Sequence, residues 1–483
     1  MGLTRRGIVG AWFAGSATAL TATLQAVKLV ILARLLDPTD FGVVGMAAVV
    51  IAATGIVADL GLGGPVIKKD EVPTGVLSSL YWLSLSIGIA LAFGLAAASP
   101  WIAVLFHEPR VAPVLATLSI VLVVQPLGAL HQALAEKALY FRRLATIDVT
   151  AAAVGAIASV VLAANGGGVV ALVADTVLAA TTRAVLLIVA GRSTFTPRAS
   201  FAWRGLRGYL TFGLLSVGQR TANYASGNID YALVGGFLGA SALGVYKMAY
   251  ELATLTPGKM NLVLGRVFFP VLARVSGDRE RFRAAFLRMQ ETTVLLGAPV
   301  VVGIALIAPV VVPGLLGERW RAAEPLLRIL CIVGLGRVIG GTIGPALLAA
   351  GRPDLGLRWS LLAVVIQAPV IWWSVTTGQL KTVAWTFVVL QLIHNVLNYF
   401  LLVRAVFGPI AAEYARSIFP ALGMTAAMAA AVWTVARVTP SSGWPVALAV
   451  QVAVGAITYG LLAYRFKRTI IEELAMVSGS GDE

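Results

Sequence analysis

Apolar runs of about 20 residues, separated by short polar stretches, recur along the whole chain, and each is long enough to cross ~30 Å of hydrocarbon. Fourteen spans are predicted, near 8–35, 41–63, 76–98, 112–134, 146–164, 168–190, 208–238, 242–266, 290–314, 325–350, 358–377, 382–403, 417–437 and 444–464. Two polar stripes interrupt this pattern. Thr18, Thr21, Gln25 and Lys28 recur at helical spacing on the first span, and Ser216, Arg220, Asn223 and Asp230 recur on the seventh. Each stripe runs down one face of an otherwise apolar helix. Ionisable side chains inside hydrocarbon are costly and face a bundle interior or a hydrated cavity. The pattern therefore predicts an all-α polytopic membrane protein with a polar lumen, and it reads as a transporter.

The two stripes belong to an internal repeat. Leu36-Asp37-Pro38-Thr39-Asp40-Phe41-Gly42-Val43 aligns with Leu238-Gly239-Ala240-Ser241-Ala242-Leu243-Gly244-Val245 at an offset of 202 residues. That register places Lys28 on Asp230 and Thr21 on Asn223. Further along, Ser99-Pro100, Glu108 and Pro113 answer to Ala308-Pro309, Glu318 and Pro325, and the later register places Gln125 on Arg337 and Gly128 on Gly340. Six crossings separate equivalent positions, so both copies share one orientation. Parallel repeats of this kind place a substrate site at their interface. The expected organisation is an N-lobe over 1–190, a basic cytoplasmic linker over 191–207, a C-lobe over 208–405, and a last helix pair with a cytoplasmic tail over 406–483.

Composition strengthens the membrane reading: 59% of residues are hydrophobic, only 12% are charged, and the mean hydropathy is +0.89. Soluble domains carry about a quarter charged residues. A net charge of +15 raises nucleic acid as a partner, but the positions of the charges argue against it. With the N-terminus in the cytoplasm, Arg5, Arg6, Lys68, Lys69, Arg142, Arg143, Arg192, Arg198, Arg279, Arg281 and Arg283 all fall inside, while Arg110, Arg319, Arg321, Lys381 and Arg437 fall outside. This is the positive-inside asymmetry of a multi-pass membrane protein with both termini cytoplasmic. The apolar stretch Gly7–Leu36 is too long for a cleaved signal peptide. One cysteine, Cys331, excludes an internal disulfide and a cysteine-rich metal site.

Catalytic motifs are absent: there is no Walker sequence, no HExxH and no GxSxG, and His107, His131 and His394 lie on different spans or loops. The chain is thus expected to be no enzyme and to hold no cofactor. Uphill transport would draw on a proton or Na+ gradient, the membrane potential or consumption of the product.

Charge placement inside the spans points to cargo. Lys28 has two compatible readings, an ion pair with Asp230 or another acid, or a cavity cation that attracts an anion. Arg220 lies too deep in its span to snorkel comfortably, and Arg337 sits centrally in span ten beside Gly334, Gly336, Gly340 and Gly341. Lys247 and Glu251 are four apart and read as a pair on one helix face. Asp230 reads as a pairing or ion-coupling acid, and Asp59 as a brace for the turn at Gly61–Pro65. Asp175 and Arg183 share roughly one face of span six and can pair with neighbouring helices. Cations (Lys28, Arg34, Arg183, Arg220, Lys247, Lys259, Arg266, Arg328, Arg337) outnumber acids (Asp59, Asp148, Asp175, Asp230, Glu251, Glu291) within the spans. Guanidinium and ammonium groups match phosphate oxygens, so an anionic cargo is favoured over an organic cation.

The run Ile31-Leu32-Ala33-Arg34-Leu35-Leu36-Asp37-Pro38-Thr39-Asp40-Phe41-Gly42, followed by Ala58-Asp59-Leu60-Gly61-Leu62-Gly63, resembles the N-terminal signature of polysaccharide transporters of the Wzx/WzxC type. These belong to the multidrug/oligosaccharidyl-lipid/polysaccharide flippase superfamily. Phe269-Pro270-Val271-Leu272-Ala273-Arg274, Leu316-Gly317-Glu318-Arg319-Trp320-Arg321 and Ala350-Gly351-Arg352-Pro353-Asp354 extend the resemblance over about residues 15–360. The resemblance implies two six-helix lobes around a cavity and the flipping of undecaprenyl-diphosphate-linked oligosaccharide for capsule, exopolysaccharide or O-antigen. It makes Lys28, Arg220 and Arg337 candidate substrate cations, and the alignment of the polar stripes adds Thr21, Gln25 and Asn223 as candidate partners of sugar hydroxyls. A polysaccharide polymerase and other assembly proteins are the implied partners, beside the lipid itself. Competing readings are a peptidoglycan lipid-precursor flippase and a cation-coupled multidrug exporter, the second disfavoured by the cationic interior. A membrane-embedded polymerase or ligase would need a large outer loop, and a scaffold would leave the polar stripes without a task.

Overall fold

The computed structural model describes residues 20–59, 66, 72–198, 203–438 and 443–479. Thr18, Arg5-Arg6, the turn at Gly61–Pro65 and Lys68-Lys69 lie outside the described residues, as do the side chains of Ser216, Lys259 and Arg266. Among the described residues the chain is helical, with no strand. The helices are α1 (20–35), α2 (Pro38–Asp59), α3 (Thr74–Leu105), α4 (Val111–Lys137), α5 (Phe141–Ala164), α6 (Val169–Gly191), α7 (203–238), α8 (240–275), α9 (Arg279–Leu316), α10 (Ala323–Ala349), α11 (Pro353–Thr376), α12 (Leu380–Phe407), α13 (Ala411–Val438) and α14 (Trp444–Gly479). Twelve helical segments among the described residues are long and apolar enough to span a membrane. The expected count of fourteen is approximate for two reasons. Only the second part of span one is described, and spans seven and eight follow one another without a loop, separated only by the non-helical Gly239.

Backbone chemistry explains why these runs are helices. In hydrocarbon every N–H and C=O must be satisfied within the segment. Hydroxyls inside the spans return to the preceding turn, as Thr54 does to the Val50 carbonyl, Thr181 to Val177 and Thr425 to Ala421, each at 2.7–2.8 Å. At the polar start of α9, Asp278 accepts from the amides of Glu280 and Arg281, satisfying donors that have no intrahelical partner. Proline opens α2 at Pro38 and α11 at Pro353, where its missing N–H costs nothing.

Gly239 has φ 85° and ψ 176°, a conformation open to glycine, and it separates α7 from α8. Beside this corner α2 crosses at backbone contact. A Cβ added at Gly42 would meet the Ala240 carbonyl oxygen at 1.7 Å, and one added at Gly244 would meet the Pro38 carbonyl oxygen at 1.8 Å. These contacts are reciprocal under the 202-residue offset, because Gly244 is the equivalent of Gly42 and Ala240 that of Pro38. Self-complementary pairing of i with j and j with i is the mark of a twofold relation.

Contacts group the chain into two units, Met1–Gly244 and Val245–Glu483. The lobe boundaries expected at 190 and 208 follow the repeat, whereas these units follow packing. The helix α7 packs with the first unit because Tyr224 Oη donates to the Val49 carbonyl at 3.2 Å and Arg220 pairs with Asp59. In that unit the segment after α6 is docked. Phe195 is buried beside Tyr81 and His131, and the Arg198 amide and carbonyl bond Ser78 Oγ and Trp82 Nε1. In the second unit a core of Phe282, Phe286, Phe407 and Trp359 packs the starts of α9 and α11 against the end of α12.

Candidate functional site

In the first unit the polar positions close into ion pairs between helices. Lys28 Nζ on α1 lies 2.6 Å from Asp175 Oδ2 on α6, with side chains only 21% and 19% exposed. Gly155 on α5 makes room for this acid: a Cβ there would stand 2.7 Å from the Asp175 carbonyl oxygen and 2.8 Å from Oδ1. Two turns further along α6, Arg183 Nε reaches Asp148 Oδ1 on α5 at 2.8 Å and its Nη1 donates to Gln132 Oε1 on α4 at 3.1 Å. Gln132 in turn donates to Glu136 at 2.7 Å. Arg220 pairs with Asp59, and both are well exposed, at 51% and 42%.

The sequence-predicted residues are distributed as follows. Lys28 meets Asp175 rather than Asp230, which is buried at 1% exposure and engaged elsewhere. Asp59 places its carboxylate on Arg220, an interaction that spacing alone did not reveal. Gln25 and Asn223 are exposed, and Thr21 is half-buried with a partner of its own. Lys28 and Arg220 thus bind separate carboxylates. Lys247 and Glu251 do pair along α8, at 3.6 Å.

The second unit treats its central cation differently. Arg337 on α10 donates through Nη2 to the Tyr250 hydroxyl on α8, and its guanidinium carbon stands 5.1 Å from the centre of that ring. Tyr250 is buried against Tyr246 and against Phe387 of α12. Of Lys28, Arg183, Arg220, Lys247 and Arg337, the last alone has no carboxylate partner among the described residues. Four residues on, α10 breaks into Ala323–Gly340 and Ile343–Ala349. Gln290 of α9, fully buried, bridges the break: Nε2 donates to the Ile339 carbonyl at 3.0 Å and Oε1 accepts from Thr342 Oγ1. Facing α10 are Gln391, Asn395 and Asn398 of α12, an amide stripe that a search for charges overlooks although its i, i+4, i+7 spacing is legible. His394, beside the stripe, accepts from Trp359 Nε1 at 3.2 Å. Among the described residues no cluster of His, Cys, Asp and Glu is arranged to hold a metal ion.

Helices of this number and length, with mid-span charges compensated inside the protein, define a polytopic membrane protein of the transporter type. The fold matches the solved structure described as lipid II flippase MurJ, inward closed conformation, with a TM-score of 0.77 over 95% of this chain and 99% of that one at 14% identity. The chain belongs to the polysaccharide biosynthesis protein family, whose profile matches residues 31–325. It is 30% identical over 461 residues to the teichuronic acid biosynthesis protein TuaB of Bacillus subtilis (strain 168), covering 95% of each chain. It is 29% identical over 422 residues to the lipopolysaccharide biosynthesis protein WzxC of Escherichia coli (strain K12), covering 87% of this chain and 85% of that one.

Proposed function

We propose that this protein flips an undecaprenyl-diphosphate-linked oligosaccharide across the cytoplasmic membrane by alternating access, supplying surface polysaccharide synthesis. The observation that carries this reading is the retention of cations within membrane-spanning helices of a family whose relatives make lipopolysaccharide and teichuronic acid. A diphosphate headgroup is the part of such a substrate that most needs compensation in a low-dielectric path, and guanidinium and ammonium groups supply it. Lys28, Arg220 and Arg337 are the candidate diphosphate contacts, with Thr21, Gln25 and Asn223 beside the first two. Ion pairs with Asp175 and Asp59 hold Lys28 and Arg220 until the anion competes for them. Asp230 and the Lys247–Glu251 pair serve charge balance or the coupling of a proton or Na+. Both termini face the cytoplasm in this arrangement, and a polymerase receives the product outside.

The test is in cells of the source organism. Replacing Lys28, Arg220 and Arg337 singly by Ala in well-expressed protein lowers surface polysaccharide several-fold and raises the lipid-linked intermediate inside the cell. Unchanged levels of both in all three variants overturn the assignment of these cations.

A further inference from the structure

We propose that the face shared by α10 and α12 in the second unit is a saccharide-binding subsite, formed by Arg337, Gln391, Asn395 and Asn398, that gives the protein its preference for a sugar-bearing headgroup. The inference deepens the flippase reading and rests on it.

The argument begins with hydrogen-bonding capacity. A guanidinium carries five N–H donors and a carboxamide two donors and one acceptor oxygen. Arg337 uses one group on Tyr250, and Gln391 Nε2 donates to Asn395 Oδ1 at 3.1 Å. Gln391 Oε1, Asn395 Nδ2 and most of the guanidinium are left for a ligand. Asn398, only 5% exposed, keeps its Oδ1 without a hydrogen-bond partner among the described residues. Burying an unpaired amide oxygen is costly, so natural structures rarely retain one without a use. The array mixes donors with acceptors and contains no carboxylate. Sugar hydroxyls, which donate and accept at once, match that mixture. A bare phosphate offers only acceptors, and a small cation would be repelled by Arg337.

Geometry keeps the array in place. Gly336 and Gly340 bring the amides against the α10 backbone. A Cβ at Gly336 would fall 2.5 Å from Gln391 Cγ and 3.0 Å from Asn395 Nδ2, and one at Gly340 would fall 3.5–3.6 Å from the Asn395 and Asn398 amides. Two irregularities flank the cluster: the break of α10 after Gly340 and the π-helical turn Tyr399–Val403 that follows Asn398. Broken membrane helices persist where they line a polar site, and π-bulges are frequent at functional positions.

The other copy of the repeat supplies a control. Gly128 of α4 is the equivalent of Gly340, yet a Cβ there would meet Leu187 and Ala184 of α6 at 3.0–3.2 Å. The helix α4 runs unbroken from Ile120 to Lys137. Close approach at this glycine therefore needs neither amides nor a break. The amides are an addition particular to the second copy, and the interruption of α4, at Ser119, lies nine residues before Gly128 instead of directly after the glycine.

The experiment measures binding by native mass spectrometry of the full-length protein in detergent. Two probes are compared: the saccharide-bearing prenyl diphosphate extracted from source cells blocked in polymerisation, and undecaprenyl diphosphate alone. Wild-type protein is expected to prefer the first by at least about tenfold. The variants Gln391→Met and Asn395→Leu, close in volume to the originals, each lose about five- to tenfold of that preference, the size expected for one or two hydrogen bonds. Their affinity for undecaprenyl diphosphate alone stays within about twofold. Variants that keep the preference, variants that lose both affinities equally, or a wild-type protein without preference overturn the subsite. Transport of the same saccharide-bearing lipid in proteoliposomes checks the underlying reading separately. If the wild-type protein transports while the variants keep their preference, only the saccharide assignment falls.

Discussion

The two units handle a central cation between helices by different means, although Lys247 of the second also meets an acid, Glu251, on its own helix. In the first, Lys28 and Arg183 are each closed by a carboxylate from another helix, at 2.6 and 2.8 Å, and Arg183 is further tied through Gln132 to Glu136. In the second, Arg337 rests on the phenol of Tyr250, itself packed against other aromatic rings. An acid that neutralises a cation also competes with any anionic ligand, whereas a phenol orients the guanidinium and leaves its charge intact. The first unit is therefore built to hold charge in reserve, and the second to present it.

The sharpest way to break this contrast is to remove one partner of the most buried pair, Lys28–Asp175. Asp175→Ala strands a mostly buried ammonium, and breaking such a pair from one side costs about 3–5 kcal/mol before discount for the remaining exposure. A loss of about 2–4 kcal/mol is expected, read as a lowered unfolding temperature of the purified protein. The double variant with Lys28→Met restores most of it, because the stranded charge has gone. Equal losses in the single and double variants would show that Asp175 acts by packing against Gly155 and not by charge.

In the second unit the corresponding change is milder. Tyr250→Phe removes one hydrogen bond and keeps the ring, so a loss of about 1 kcal/mol or a little more is expected, given a charged donor. No compensating deletion of Arg337 rescues it, since no charge has lost a counter-ion. The informative reading is transport: if Tyr250 aims Arg337 at the cargo, Tyr250→Phe lowers transport by more than its effect on stability predicts. Transport that falls only in step with folded protein would place Tyr250 in the core alone.

Much of this was legible beforehand. The apolar runs of the expected spans and the observed helices agree within a few residues for most elements, as at 168–190 against Val169–Gly191 and 444–464 against Trp444–Phe466. Length and hydropathy suffice there because hydrocarbon dictates a helix whatever the neighbours are. The Lys247–Glu251 pair was equally visible, since both residues lie on one helix and the 3.6-residue period fixes their distance. Partners on different helices were not. The choice of Asp175 over Asp230 for Lys28 depends on which helix stands beside α1 and on the absence of a Cβ at Gly155, and the repeat carries no such information. The amide stripe of α12 was overlooked for another reason. Uncharged side chains barely disturb a hydropathy profile, and Asn398 acquires meaning only once its oxygen is found buried and unpaired.

Two equivalent loops of the repeat offer the smallest and most discriminating comparison. Glu108 accepts from Arg110 Nε at 2.9 Å and Nη2 at 3.0 Å, and its side chain is 18% exposed. Its repeat equivalent Glu318 meets Arg321 at 3.2 Å with 69% exposure. The Arg110 hydrogen bonds hold the Glu108 carboxyl below its usual value of 4.5. A depressed folded-state pKa stabilises above the unfolded value and ceases to do so as the pH falls through the folded one. Wild-type protein should therefore exceed Glu108→Gln in stability at neutral pH, by no more than a few tenths of a kcal/mol for so peripheral a pair. The gap should close below the ordinary glutamate range. Glu318→Gln should change stability at neutral pH by less than Glu108→Gln does, because water screens that more exposed pair. Paired unfolding curves of the three proteins between pH 7 and pH 4 decide the matter, and a pH-independent gap for Glu108→Gln would mean that the carboxylate matters there for its shape and not its charge.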